Sequence, residues 1–438
     1  MQSVFAFHDH QKFKVHLYAT SASDGSRSRD RIESGSDQFL DVSTWSDDAV
    51  VERIISDGIH ILVNLGGYTK GARNEIFAVR PCPVQISLMG FAGTLGAGWC
   101  DYIVCDAISC PEDLTAEFFA RAKAGSDLKN DFDFGPSVGT EGDPEFPADD
   151  WVYSENFIYM PHSFLVTDHK QSSRGDEDLT VQQRAAISND KIWDDEQRRR
   201  TLARQLLFPE LAADVVIFAN FNQLYKIDPE IYALWLKILS LVPRSVLWLL
   251  RFPAAGEEHL LRTARAWAGE EVASRVRFTE IARKDDHIMR CRVADIFLDT
   301  IECNAHTTAS DVLWSGTPII TWPRHRYKMC SRVAASVAHA TGFGAEMVVS
   351  SLDEYQELAV SWARGAHQSD SALRNLRRNL FLNRDRMPLF DTQRWTRNIE
   401  KGYQAAWVRW VNGSEDRDSK SGCIFVHDDD PVGIIRFD

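Results

Sequence analysis

Short apolar runs alternate along this chain with amphipathic stretches, and that alternation constrains the fold more than any other feature. Five runs lie in the first part: Lys14–Ala19, His60–Asn64, Val84–Met89, Tyr102–Cys105 and Phe157–Met160. Five more follow: Val215–Asn220, Ser245–Leu250, Val276–Phe278, Asp295–Leu298 and Pro318–Thr321. Most are continuously apolar, which suits strands buried on both faces of a parallel sheet. Helical patterns such as Pro229–Leu241 and Asp311–Trp314 lie between them. Two such series predict two doubly wound α/β units.

The chain has 438 residues, room for roughly two to four domains at ~100–200 residues each. Between the two series the composition changes. Ala122–Asp150 is rich in Gly, Asp, Pro and Ser and reads as loop or disorder. Thr180–Leu207 is charged and helix-prone, with Arg198, Arg199 and Arg200 expected on a solvated face. The resulting division is a first lobe over 1–121, an insert over 122–213, a second lobe over 214–375, C-terminal helices over 376–411 and an acidic tail over 412–438. No internal repeat suggests a solenoid.

Composition removes several function classes. A formal net charge of −14 argues against a general nucleic-acid coat, which needs a basic face, but leaves room for a local phosphate pocket. Eight cysteines without a CxxC pair make neither a disulfide scaffold nor a zinc or redox motif. Cys100, Cys105 and Cys110 are expected as small buried apolar side chains. The N-terminus lacks the pattern of a signal peptide, and no apolar run approaches the ~20 residues of a membrane span. The expectation is an intracellular chain with no membrane and no nucleic-acid partner. Asp131-Phe132-Asp133 has the DxD spacing of some metal-dependent transferases, but lies in the loop-like stretch; Asp428–Asp430 lies in the tail. Neither is expected to hold a metal. GxSxG, HExxH, GxGxxG and P-loop patterns are missing.

Three loops of the second series have the residue types of an anion pocket. In Asp299–Pro318 a strand ends, a small polar loop carries Cys303 and His306, and a helix should start near Thr307, followed by Thr308 and Asp311. A helix N-terminus offers free N–H groups and the positive end of its dipole. A plain helix start with a local histidine fits this stretch equally well. In Asn220–Pro229, Asp228 and Pro229 have N-cap and N1 character, and Gln223 and Lys226 precede them. Lys226 could reach a diphosphate, or simply face solvent. In Ile281–Arg290, Lys284, His287 and Arg290 share one helical side; a charged helix start explains them too. In the first series, Asn64–Glu75 and Met89–Gly98, which includes Gly90, are glycine-bearing βα loops.

At these residues the chain resembles the catalytic region of the intracellular protein O-GlcNAc transferases. The matching blocks are His60–Glu75, Asn220–Pro229, Ser245–Pro253, His306–Thr308 and Asp311–Trp314, within about residues 1–121, 151–170 and 214–410. The resemblance implies a GT-B architecture, two Rossmann-like lobes facing a cleft. It implies inverting, metal-independent transfer of GlcNAc from UDP-GlcNAc to Ser or Thr hydroxyls of nuclear and cytoplasmic proteins, with no cofactor. Carried over by motif, Gln223 and Lys226 would contact the diphosphate, and Lys226 would neutralise the departing UDP. His306, Thr307 and Thr308 would hold phosphates, Asp311 and Lys284 would lie near the ribose, and Ala282, His287 and Arg290 would frame the uracil. Gly90 and Cys303 would line the sugar.

The departures from the family pattern shape the alternatives. The family carries tetratricopeptide repeats upstream, and a strand with a histidine-bearing loop just before the position of Met1. The N-terminal lobe is therefore expected to be missing its first strand. The family's Gly-Tyr-Pro-Gly-Thr run reads Gly90-Phe91-Ala92-Gly93-Thr94 here. A non-catalytic nucleotide-sugar-binding or scaffolding paralogue, and a protein O-fucosyltransferase using GDP-fucose, are the alternative readings.

Overall fold

A computed structural model describes residues 1–112, 153–173, 179–413 and 422–430. The described residues fall into two compact units. One is formed by Met1–Val166, Arg326–Met329 and Thr392–Pro431, the other by Thr167–His325 and Cys330–Asp391.

In the first unit, β1 (His16–Ala19) and β2 (Gln38–Asp41) make a two-stranded parallel sheet. The larger sheet holds β3 (Ile61–Asn64), β4 (Val84–Ser87), β5 (Tyr102–Asp106), β6 (Asn156–Met160) and the short strand Ile424–Phe425, paired in that order and all parallel. Every residue of β4 and β5 is buried, as the uninterrupted apolar runs required. Cys100, Cys105 and Cys110 are buried too.

Two features differ from the sequence-based division. β6 falls within the expected insert, yet pairs with β5 from Tyr102↔Asn156 to Asp106↔Met160. Composition cannot reveal which strand a distant segment will join. Part of the expected tail is also tied down. Ile424 and Phe425 pair with Ile158 and Tyr159. Asp428 accepts from Arg394 Nε at 2.6 Å and His162 Nε2 at 2.7 Å. Asp429 and Asp430 pair with Lys401 and Arg397. The acidic run neutralises one face of the helix Thr392–Val411. Asp131 and Asp133 lie outside the described residues.

The second unit is a five-stranded parallel sheet of β7 (Val216–Asn220), β8 (Ser245–Leu250), β9 (Val276–Thr279), β10 (Ile296–Leu298) and β11 (Ile319–Ile320), in the spatial order β11-β10-β7-β8-β9. The chain builds outward from β7 to β9, then returns to β7's other side with β10. That reversal opens a crevice at the carboxyl ends of β7 and β10, where open α/β sheets take their ligands. Trp235, Trp248, Trp314 and Tyr355 are fully buried in this unit.

The helix Asn189–Leu207 packs on this unit rather than standing apart. Arg200 is not on a solvated face: it pairs with buried Asp295 and donates to the Arg292 carbonyl at 3.0 Å. Asp295 also faces Arg204 and Arg377, which help hold its carboxyl below the ordinary range against the cost of burial. The three-arginine run therefore splits. Arg198 stays exposed, while Arg200 anchors the helix.

Candidate functional site

Two βα loops meet at the topological switch. After β7 the chain turns through Phe221 and Asn222 into a short 3-10 turn, Leu224–Lys226. Asp228 then caps the helix Pro229–Leu241, its Oδ1 accepting from the Ile231 amide at 3.0 Å, with Pro229 at the first helical position. After β10 the chain runs from Asp299 to His306 and enters the helix Thr307–Trp314.

Buried side chains hold the two loops together. Asn220 Nδ2 donates to the Leu298 carbonyl at 2.7 Å, and its Oδ1 accepts from the Asn222 amide at 3.0 Å. Asn222 Nδ2 donates to Thr300 Oγ1 at 2.9 Å and Asp299 Oδ1 at 3.3 Å. Asp299, fully buried, also accepts from the amides of Thr300 and Ala305 and from Thr321 Oγ1, each within 2.9 Å. Burial pushes its carboxyl up to about 7, against the pull of these donors and of Lys226. Tyr355 Oη donates to the Asp299 carbonyl at 2.9 Å.

Lys226 crosses between the loops, its Nζ donating to the Asn304 carbonyl at 3.2 Å. Asn304 is itself clamped: its amide donates to the Cys330 carbonyl, and its Nδ2 to the Ser331 carbonyl at 2.8 Å. His306 Nε2 donates to the same Cys330 carbonyl at 3.1 Å. Burial, reinforced by the nearby Lys226 charge, lowers the His306 imidazole to about 4. His306 occupies the N-cap position of the Thr307 helix, but its own side chain makes no cap hydrogen bond to that end. The first amides of the helix thus lack an N-cap side-chain bond, and the Lys226 charge is felt at the His306 cap residue. This is a ready cradle for an anion.

The third loop leads into the helix Lys284–Cys291. His287 packs edge-on against Phe221 at 5.3 Å between ring centroids, and burial lowers its pKa. Its Nε2 lies 4.0 Å from Asp311 Oδ2. Arg290 sits over the Trp248 ring at 5.7 Å and donates from Nη1 to the Glu280 carbonyl at 2.9 Å. Its Nε and Nη2 are buried without a hydrogen-bond partner among the described residues. Unsatisfied guanidinium donors are costly, and a ligand carbonyl would answer them.

The structure thus gathers Lys226 and His306, and places His287 beside Asp311. Gln223 opens the 3-10 turn, half-buried, and Cys303 lies half-buried in the β10 loop. Thr307 and Thr308 are the first two helical residues. Ala282 and Lys284 stand exposed at the start of their helix, beyond the contacts that join the others. Gly90 belongs to the first unit, just past β4. A Cβ there would lie 2.3 Å from the Leu65 carbonyl oxygen, so its lack of a side chain is required by loop packing within that unit.

Sequence reasoning missed the residues that shape the loops: Asn222, Asp299, Asn304, Thr321 and Tyr355. The readable signal was a polar residue ending each apolar run, as Asn220 ends β7 and Asp299 follows β10. Such a residue at the carboxyl end of a buried strand must find partners, and here the partners are the neighbouring loop. Among the described residues no three His, Cys, Asp or Glu side chains are placed to hold a metal ion.

Comparison with known proteins fits this architecture. A relative from Arabidopsis thaliana, named "Probable UDP-N-acetylglucosamine--peptide N-acetylglucosaminyltransferase SEC", is 41% identical over 98% of this chain and 38% of its own length. A UDP-N-acetylglucosamine--peptide N-acetylglucosaminyltransferase from Caenorhabditis elegans is 30% identical over 94% of this chain and 40% of its own length. The chain thus spans about two fifths of the length of these relatives. The solved structure of a mutant O-GlcNAc transferase from Thermobaculum terrenum matches the fold with a TM-score of 0.69 at 23% identity, over 94% of this chain and 65% of that one. The fold is of the GT-B type, and the family model for glycosyl transferase family 41 matches residues 1–124 and 194–399. This chain belongs to glycosyl transferase family 41.

Proposed function

We propose that the chain transfers N-acetylglucosamine from UDP-N-acetylglucosamine to Ser or Thr hydroxyls of proteins. The observation that carries this reading is the Lys226 ammonium poised on the loop that ends in the Thr307 helix, whose N-cap side chain makes no cap hydrogen bond. In this reading the diphosphate lies on the Thr307 and Thr308 amides, beside Gln223. Lys226 stabilises the negative charge that develops on UDP as the sugar leaves. It supplies the positive charge that a divalent cation brings to metal-dependent transfer, so the proposal includes no metal. The acceptor hydroxyl attacks the anomeric carbon in line from the far side, which inverts it.

Arg290 and His287 take the uracil, with Ala282 beside them. Asp311 takes the ribose, with Lys284 at the rim, and Cys303 lines the sugar. The names of the two relatives support the donor and the peptide acceptor. Sparse cysteines support a reducing compartment, which we take as cytoplasm and nucleus. No described helix is long and apolar enough to cross a membrane.

The test is to incubate the chain with UDP-N-acetylglucosamine and a Ser/Thr acceptor peptide, and to measure the peptide mass. A gain of one N-acetylhexosamine is expected. UDP binding without any transfer would replace this reading with that of a nucleotide-sugar-binding protein. Transfer from a GDP-sugar alone would replace it with fucosyl transfer.

A further inference from the structure

His169 lies outside the three site loops, yet it makes a close contact to one of their residues. It opens the short helix His169–Ser172 and is buried, 6% exposed. Its ring packs against Trp314 at 5.9 Å and edge-on against Phe390 at 5.5 Å between centroids. Its Nε2 lies 2.7 Å from Asp311 Oδ1. A carboxylate only accepts, so this bond assigns the proton to Nε2. Nδ1 is buried without a partner among the described residues. The hydrogen bond that orients the imidazole is therefore the one to Asp311.

Asp311 has one oxygen committed to a hydrogen bond and the other on the His287 side. Oδ1 is held by His169, whereas Oδ2 faces His287 at 4.0 Å, too far for a hydrogen bond. Asp311 lies three and four residues after Thr308 and Thr307, one turn further along the same helical face. An anion on the first amides would thus have its own sugar, one ester linkage away, beside Asp311. Left unheld, an aspartate there would rotate about its side-chain torsions and share its oxygens between His287 and solvent.

We propose that His169 is a positioning residue. It fixes Asp311 so that Oδ2 accepts from a hydroxyl of the nucleotide's ribose, and it thereby makes the site discriminate for the diol. This inference rests on the proposed function, in which the ribose lies at Asp311. The chemistry it predicts is selective: His169 governs recognition of the sugar hydroxyls and leaves the diphosphate contacts alone.

The test compares calorimetric affinities of the full chain for UDP and for 2′,3′-dideoxyuridine 5′-diphosphate. The native chain should prefer UDP by roughly fivefold or more, the scale of a hydrogen bond to a charged group. His169→Phe keeps the ring volume but cannot donate; it should bring the preference close to one while dideoxy-UDP affinity stays within about twofold. His169→Gln, whose amide can donate, should restore most of the preference. In an Asp311→Ala background, His169→Phe should change nothing further.

A UDP preference that survives His169→Phe would overturn the inference. So would an equal effect of His169→Phe with and without Asp311. Should His169→Phe fail to fold, His169→Gln still decides, since loss of the preference there would also overturn it. A native chain that binds neither nucleotide would sink the proposed function, and this inference with it. That outcome is distinct from UDP binding whose diol preference ignores His169.

Discussion

Lys226 Nζ and the main-chain carbonyl of Asn304 meet at 3.2 Å, joining the loop after β7 to the loop after β10. The lysine comes from a 3-10 turn and the carbonyl from a loop clamped through Cys330 and Ser331. One ammonium thus sits at the reversal in strand order of the second sheet.

Lys226→Met should remove that charge while keeping the stem of the side chain. Transfer to peptide is expected to fall about a hundredfold or more, the scale seen when one preorganised stabiliser of developing charge is lost. UDP affinity should fall much less, because the helix amides remain. Single-turnover rates alongside UDP titrations would check this; a variant with native turnover removes Lys226 from the chemistry.

His306 supplies a pH dependence of stability. Its native pKa is about 4, against an ordinary value of 6.5. Between those values the unfolded chain binds a proton that the native chain refuses, so falling pH favours unfolding. The contribution is complete above about pH 6.5, shrinks as pH falls, and is gone below about 4. Urea midpoints of the native chain and His306→Asn, compared at about pH 7 and about pH 4.5, should show the native chain losing ground at the lower pH. A gap between the two that ignores pH would contradict the assignment.

Arg290→Lys tests the unsatisfied guanidinium. Lysine keeps the charge but loses the planar fork whose Nε and Nη2 stand buried and unpartnered among the described residues. UDP affinity should drop roughly tenfold, as expected for lost hydrogen bonds from a charged donor, and the preference for UDP over GDP should narrow. An unchanged preference in calorimetry would place the base elsewhere.

Gly90→Ala probes the first unit. The new methyl would press on the Leu65 carbonyl and the Gly66 backbone, within 2.6 Å of both, and main chain cannot yield as a flexible side chain can. A destabilisation of about 2–4 kcal/mol is expected. Gly98→Ala meets nothing within 4 Å and should be close to neutral. Urea unfolding of the two variants side by side is the measurement.

Much of this architecture is legible in the sequence. β8 spans Ser245–Leu250 as its apolar run predicts. The Thr307 helix begins where its hydroxyls suggest, and Asp228 and Pro229 take their cap and N1 positions. These are local facts, set by residue type and spacing over a few positions. β2, with its mixed burial, and the two-residue strand Ile424–Phe425 left no such trace. Both depend on a partner strand rather than on their own pattern.

The sequence by itself determined the alternation of strand and helix, the family, and the loops that carry Lys226, His287, Arg290, His306 and Asp311. Those depend on hydrophobic period and short-range motif, which a linear chain records. Only the tertiary structure decided that Arg200 is buried against Asp295, that Ile424 and Phe425 pair with β6, and that Asp299 ties together two loops far apart in sequence. It alone showed His169 holding Asp311 from 142 residues away. Such pairs form because a buried charge or amide must find a partner wherever folding brings one within reach, and no spacing along the chain announces which partner that will be.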